Sequence, residues 1–122
     1  MKKKSIESKL TIPVDKAEEK RLLNHVLGRK ENSIQNAVMH YLRKQPGWWI
    51  KISDRFVAGI PDIIGCLNGK YCAIELKRPG GKGPTPLQHH NIEKIHHEGG
   101  HAIWATSLQE VKIYVELWKK EK

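Results

Sequence analysis

The chain has 122 residues, with 22 Lys and Arg against 13 Asp and Glu and a formal net charge of +9. That length suits one domain with a real but shallow core, and the charge favours a polyanionic partner over an acidic small molecule. No apolar run approaches the roughly 18 residues of a membrane span, and the basic opening Lys2 to Lys4 is not followed by the apolar stretch of a signal peptide, so a cytoplasmic location is expected.

Residues 1–30 are the least patterned part. Lys2 to Lys4 read either as a solvated tip or as a nucleic-acid arm. Asp15 and Glu18 have capping-box spacing, and Leu22, Leu23, Val26 and Leu27 make a narrow apolar stripe ahead of Gly28, which predicts a helix from about Lys16 to Leu27. Such a stripe suits packing on its own domain or on a second copy of the chain. The expected division is an N-terminal extension over 1–30, serving dimerisation or DNA contact, followed by a domain over 31–122.

A second helix is predicted from Asn32 to Lys44, because Ile34, Ala37, Val38, Tyr41 and Leu42 recur at helical spacing, with Pro46-Gly47 ending it. Glu31 opens that helix in line with Ile34 and Val38. Two readings stand for it: favourable charge at a helix N-terminus, or an inward carboxylate whose partner lies in a site. Trp48, Ile50 and Ile52 then alternate with Trp49 and Lys51 in a first strand, Trp48 to Ser53, with one of the two tryptophans expected inside and the other available to stack on bases. Arg55, in the loop that follows, could approach a ligand.

The richest stretch is Gly59 to Lys77. Two short strands, Asp62 to Leu67 and Lys70 to Leu76, flank Asn68-Gly69, the dipeptide of a type I′ hairpin turn. With Leu67 opposite Lys70, counting back sets Ile63 against Ile74 and Asp62 against Glu75. Carboxylates so paired destabilise a sheet unless a cation joins them, and a divalent metal ion is the usual joiner. Lys77 falls on the same face as Glu75 by the period of two. The same register separates Cys66 and Cys72 onto opposite faces, against a disulfide and in favour of two small core residues.

Beyond Lys77, the loop Arg78 to Pro86 is rich in Gly and Pro and carries Arg78 and Lys82. It reads either as an ordinary strand-to-helix connection or as backbone and cations set to meet phosphate. Thr85, Pro86 and Gln88 have the N-cap, N1 and N3 pattern of a capping box, opening a helix to about Glu98 with Leu87, Ile92 and Ile95 inward and Gly99-Gly100 closing it. His101 to Thr106 is the next strand, and a strand, helix, strand order favours pairing parallel to the Glu75 strand. Ser107 and Glu110 cap a last helix with Leu108, Val111, Val115 and Trp118 as its buried stripe. The fold class expected is α/β: a mixed sheet, hairpin plus parallel crossover strand, flanked by helices.

His89, His90, His96 and His97 offer a rival metal or catalytic site. Seven-residue spacing sets the pairs roughly 10 Å apart along a helix, too far for two ligands of one ion, and solvated or DNA-facing roles suit them better.

Gly59-x-Pro61-Asp62, then Glu75-Leu76-Lys77 and a later Gln88, with Glu31 on the preceding helix, closely resemble the VRR-NUC (virus-type replication-repair nuclease) domains of the PD-(D/E)XK superfamily, in their small standalone phage and bacterial form. The resemblance spans Glu31 to about Trp118. It implies a restriction-endonuclease-like core and a metal-dependent DNA endonuclease. Asp62, Glu75 and the Leu76 carbonyl would hold Mg²⁺, or Mn²⁺ in its place, with Glu31 adding a ligand through water. Lys77 would orient or deprotonate the attacking water, and Gln88 would position water, metal or phosphate. It further implies branched DNA as substrate, four-way junctions resolved by a homodimer, with flap- or end-directed cleavage by a monomer and a non-catalytic DNA-binding module as the alternatives. Arg55, Arg78 and Lys82 are the expected DNA contacts.

Overall fold

A computed structural model describes residues 16–53 and 57–121, apart from the side chains of residues 20 and 22–31. The elements are α1 (Lys16–Leu42), β1 (Trp48–Lys51), β2 (Ile63–Leu67), β3 (Lys70–Leu76), α2 (Pro86–His97), β4 (His101–Ala105) and α3 (Leu108–Lys120). Among the described residues, no helix is long and apolar enough to cross a membrane.

The strands form one sheet in the order β1-β2-β3-β4, antiparallel through the first three and parallel between β3 and β4. Asn68 and Gly69 both take positive φ, 54° and 79°, as a type I′ turn demands. The pairing runs without a bulge from Leu67↔Lys70 to Ile63↔Ile74, as counted from that turn. The Asn68 side chain also donates to the Lys119 and Glu121 carbonyls at the end of α3, so the turn caps that helix as well.

Alternation along the strands sorts the two faces. Ile63, Leu67, Cys72, Ile74, Leu76, Ile103 and Ala105 point to one side, where Val38, Met39 and Leu42 of α1 and Val111, Val115 and Trp118 of α3 complete the core. Gly65 lies on that side too, and the Trp49 ring fills the space where a Cβ would stand. Trp49 therefore packs on the core while Trp48 faces outward, 58% exposed.

Several expectations need correction. Residues 16–42 form one helix, not two, and Gly28 lies within it instead of ending it. A glycine costs a helix roughly 1 kcal/mol relative to alanine, which the helix-forming residues on both sides outweigh when no proline follows to enforce a stop. Glu31 consequently sits in the interior of α1 and not at a helix start, so the reading of its charge as N-terminal falls away. Gln35 and Met39 are buried and Ala37 is exposed, a rotation of the inward stripe that the longer helix imposes. Helix α2 buries none of its residues fully: Leu87 is 44% exposed, whereas Ile92 and Ile95 are half-buried with Gln88 and Asn91 on a face turned to the outward side of the sheet, where Ala73 and Ala102 are 1% exposed. Cys66 is exposed, leaving only Cys72 inside, because Cys66 lies on the outward face. Asp15, Arg55 and the side chains of Leu22, Leu23, Val26, Leu27 and Glu31 fall outside the described residues.

Candidate active site

Asp62 occupies the point where β1, β2 and β3 begin to diverge. Its carbonyl accepts from the Ile52 N–H at 2.8 Å, holding it to the end of β1. Its Oδ2 accepts from the Leu76 N–H at 2.7 Å, holding it to the end of β3. The side chain thus takes over the ladder at the place where Pro61, lacking an N–H, cannot continue a full exchange of bonds. The carboxylate is almost wholly buried, with the residue 1% exposed.

Glu75 follows Ile74 by one residue and so turns to the opposite face from the core, where it is 3% exposed. Two groups meet its Oε1: the Gln88 Nε2 donates at 3.1 Å, and the Lys77 Nζ lies 3.6 Å away. Lys77 keeps its backbone in the sheet through a 2.9 Å bond from its N–H to the Ala105 carbonyl, which extends the parallel pairing one residue past β3. Its side chain is therefore launched from an ordered backbone on the same face as Glu75.

Gln88 makes the expected capping box and also reaches Glu75. Its Oε1 accepts from the Thr85 N–H at 2.8 Å while the Thr85 hydroxyl accepts from the Gln88 N–H at 3.2 Å, a complete capping box. An amide whose oxygen is committed to the cap must present its NH₂ the other way, and there it finds Glu75. The helix cap is what orients the donor.

The approach from Gly59 is equally constrained. Gly59 has φ of 81°, and a Cβ there would stand 2.7 Å from the Asn91 Nδ2 and 2.8 Å from Leu87. Only glycine fits both demands. The Asn91 amide in turn donates to the Gly59 carbonyl at 2.9 Å, tying the loop that delivers Asp62 to the helix that delivers Gln88. Sequence reasoning missed Asn91; its signal was its position three residues beyond Gln88, on the same helical face.

Arg78 and Lys82 are brought to the site. With Lys77, Gly81 and Gly83 they line a cleft of about 230 Å³ beside the cluster. Trp104, the register partner of Glu75, stands against Gly83 at its edge and was also missed, although its alternation with Ile103 and Ala105 places it on this face. Of the four helix histidines, His89 meets Trp104 edge-on and His96 bonds the Ala102 carbonyl. Among the described residues no three of His, Cys, Asp and Glu gather as a metal cluster. What gathers instead is two buried carboxylates and a lysine. Those hard oxygen donors suit a small divalent cation that keeps several waters, with the Leu76 carbonyl next in the chain to Glu75.

A scan against protein-family models finds no match, and a search of curated proteins finds none. Among solved structures, the chain is similar to one described as a VRR_NUC domain protein, with a TM-score of 0.63 and 24% identity over 75% of this chain and 88% of that one. It is also similar to one described as a VRR_NUC domain, with a TM-score of 0.60 and 25% identity over 71% of this chain and 95% of that one. The chain shares the fold of these VRR_NUC domain structures. Its mixed sheet flanked by helices is the restriction-endonuclease-like fold expected from the motif order.

Proposed function

We propose that this chain is a nuclease domain of the VRR-NUC type, a divalent-metal-dependent DNA endonuclease whose site comprises Asp62, Glu75, Lys77 and Gln88. The observation that carries the reading is the convergence on Glu75: Gln88 and Lys77 meet one of its oxygens, while Asp62 is bonded to the very next residue. A salt bridge on an ordinary sheet surface would need neither the burial of both carboxylates nor a helix cap aimed at one of them.

Phosphodiester hydrolysis gathers negative charge on the phosphorus oxygens and needs a water made nucleophilic. A Mg²⁺ ion held by Asp62, Glu75 and the Leu76 carbonyl would supply charge neutralisation and a more acidic water. The chain's own residues do the rest. Lys77 presents a cation beside Glu75, where it offsets charge on the reacting phosphate and orients the attacking water. Gln88 locks the Glu75 carboxylate, so that little reorganisation is left for the moment of reaction. Arg78 and Lys82, in the cleft next to Lys77, hold the flanking phosphates. Glu31, as the resemblance implies, would add a ligand through water.

Branched DNA as substrate is what the motif resemblance implies, and stoichiometry supports it. One site per chain suits a homodimer cutting two strands of branched DNA about a dyad, with residues 1–30 as the extension that serves dimerisation. The test is cleavage of labelled four-way junction, flap, single-stranded and linear duplex DNA, with Mg²⁺ or EDTA, alongside light scattering. Metal-dependent cuts placed symmetrically in the junction by a dimer are expected. Full cleavage by Asp62→Ala, Glu75→Ala and Lys77→Ala alike would refute the site, and metal-independent binding without cleavage would leave a DNA-binding module.

A further inference from the structure

Asp62 and Glu75 are fixed by different means. Glu75 lies within β3 and is paired with Trp104 of β4. Asp62 stands one residue ahead of β2, because the ladder between β2 and β3 begins at Ile63↔Ile74. Its position therefore depends on the loop that leads into it, a loop that turns at Gly59 with φ of 81°. Both carboxylates are almost wholly buried, and like charges held close repel. That repulsion acts first on the partner outside the ladder, so a site built on this pair needs the loop fastened to something rigid. Helix α2 is what it is fastened to. Three of its side chains reach separate parts of the fold: the Gln88 Nε2 donates to Glu75 at 3.1 Å, the Asn91 Nδ2 donates to the Gly59 carbonyl at 2.9 Å, and the His96 Nε2 meets the Ala102 carbonyl at 2.6 Å.

We propose that Asn91 is a positioning residue of the metal site, which with Gln88 makes α2 a ruler between the Asp62 loop and Glu75; the inference rests on the reading of these carboxylates as holders of a divalent cation. Gln88 and Asn91 are i and i+3 on one helix, so their Cβ atoms keep a spacing of about 5–6 Å whatever the loop does. The Gln88 end of the ruler is locked by the capping box with Thr85, and the far end of the helix by His96. The Asn91 end works only at close quarters. A Cβ on Gly59 would stand 2.7 Å from the Asn91 Nδ2, so the loop backbone meets the amide with no room for a side chain between them. A loop that needed only a tether could take it from any neighbouring group. This one takes it from the helix that holds Glu75, one turn along. The consequence is for the choice of ion. Mg²⁺ demands near-octahedral oxygens at about 2.0–2.1 Å, whereas Ca²⁺ accepts flexible arrangements at about 2.3–2.6 Å. A carboxylate displaced by about 0.5 Å still serves the larger ion and no longer the smaller, so Asn91 sets the site's preference for Mg²⁺.

The test is calorimetric titration of Mg²⁺ and of Ca²⁺, each alone, into the full chain and into Asn91→Leu, which keeps the bulk of the side chain but has no donor. Mg²⁺ affinity is expected to fall roughly tenfold or more, the usual effect of losing a group that orients a metal ligand, and Ca²⁺ affinity less than about threefold. Turnover on DNA should fall at low Mg²⁺ and recover as Mg²⁺ is raised, with KM for DNA unchanged. Val115→Ala, which truncates a wholly buried side chain in α3 away from the ruler, is the control and should lower the melting temperature while leaving both affinities alone. Should leucine unfold the chain, Asn91→Ser, whose hydroxyl stops short of the Gly59 carbonyl, carries the same expectation. Unchanged affinities, an equal loss for both ions, or the same loss in Val115→Ala would overturn the assignment, even if the parent binds Mg²⁺ and cleaves DNA. A parent that takes up no Mg²⁺ would overturn the ruler and the metal reading together. Selective loss of Mg²⁺ in a chain that never cleaves DNA would uphold the ruler and refute the nuclease reading.

Discussion

Gln88 ties a helix cap to a carboxylate, and the two functions are separable by mutation. Thr85→Ala removes the hydroxyl that accepts from the Gln88 N–H and should cost about 1 kcal/mol, the usual worth of an N-cap. Gln88→Ala removes the return half of the box together with the 3.1 Å bond to Glu75. A hydrogen bond to a charged group contributes about 1.5–3 kcal/mol, and since Gln88 is only half-buried the lower end applies, which brings the total to about 2–3 kcal/mol. For a domain of this size each kcal/mol moves the melting temperature by about 4 °C. Thr85→Ala should therefore melt about 4 °C below the parent and Gln88→Ala about 10 °C below it. Activity should separate them further, because groups that orient a metal-binding carboxylate are typically worth roughly 10–100-fold. Turnover on the best DNA substrate should fall by that factor in Gln88→Ala and by less than about threefold in Thr85→Ala. Equal losses of stability and turnover in the two variants would show that Gln88 is a capping residue and nothing more.

Asp62 should separate folding from catalysis in the same way. Asp62→Asn keeps an oxygen to accept from the buried Leu76 N–H, whereas Asp62→Ala leaves that donor unmet and should cost about 1–3 kcal/mol; chemical denaturation should show the difference while both variants lose cleavage, and an equally stable alanine variant would contradict the assigned bond. Gly65→Ala would drive a methyl into the Trp48 carbonyl and the Trp49 ring, so a loss of about 1–3 kcal/mol or more is expected, and an unchanged denaturation midpoint would show that the ring does not rest there. Burial, outweighing the pull of Glu121 at 2.7 Å, holds the His101 imidazole below its ordinary value. The unfolded chain therefore takes up the proton first, so stability present above about pH 6.5 declines as pH falls from there through the lower folded value. Denaturation at pH 8 and pH 5.5 should show a smaller decline in His101→Phe than in the parent, and identical declines would refute this origin.

The local signals in the chain were strong where one chemical requirement left one solution. Asn68-Gly69 admits a type I′ turn, a type I′ turn admits one register, and that register paired the strands from Leu67 with Lys70 to Ile63 with Ile74; Asp62, expected to open β2 opposite Glu75, lies just before the strand and accepts from the Leu76 N–H. Thr85 and Gln88 announced their capping box, and the order of strands and helices announced the mixed sheet. These features depend on neighbours a few residues away, so a linear reading reaches them. Helix α1 shows the limit of that reading: Gly28 looked like an end, but whether a glycine ends a helix depends on the packing and propensity of everything on either side.

What tertiary structure alone decided concerns distances between elements that the chain separates widely. That Asp62 would bond the Leu76 backbone, that the far end of the capping amide would land on Glu75, and that Asn91 would fasten the Gly59 loop to α2 all depend on where α2 settles against the sheet. The half-buried stripe of Gln88, Asn91, Ile92 and Ile95 shows which face of α2 turns to the sheet, but no periodicity encodes where along the strands that face settles. The sequence by itself determined the hairpin turn, its register and the capping box that carries Gln88. The fold decided how the side chains of the site are held, since polar contacts between distant elements form only after the core has fixed the sheet and its helices in place.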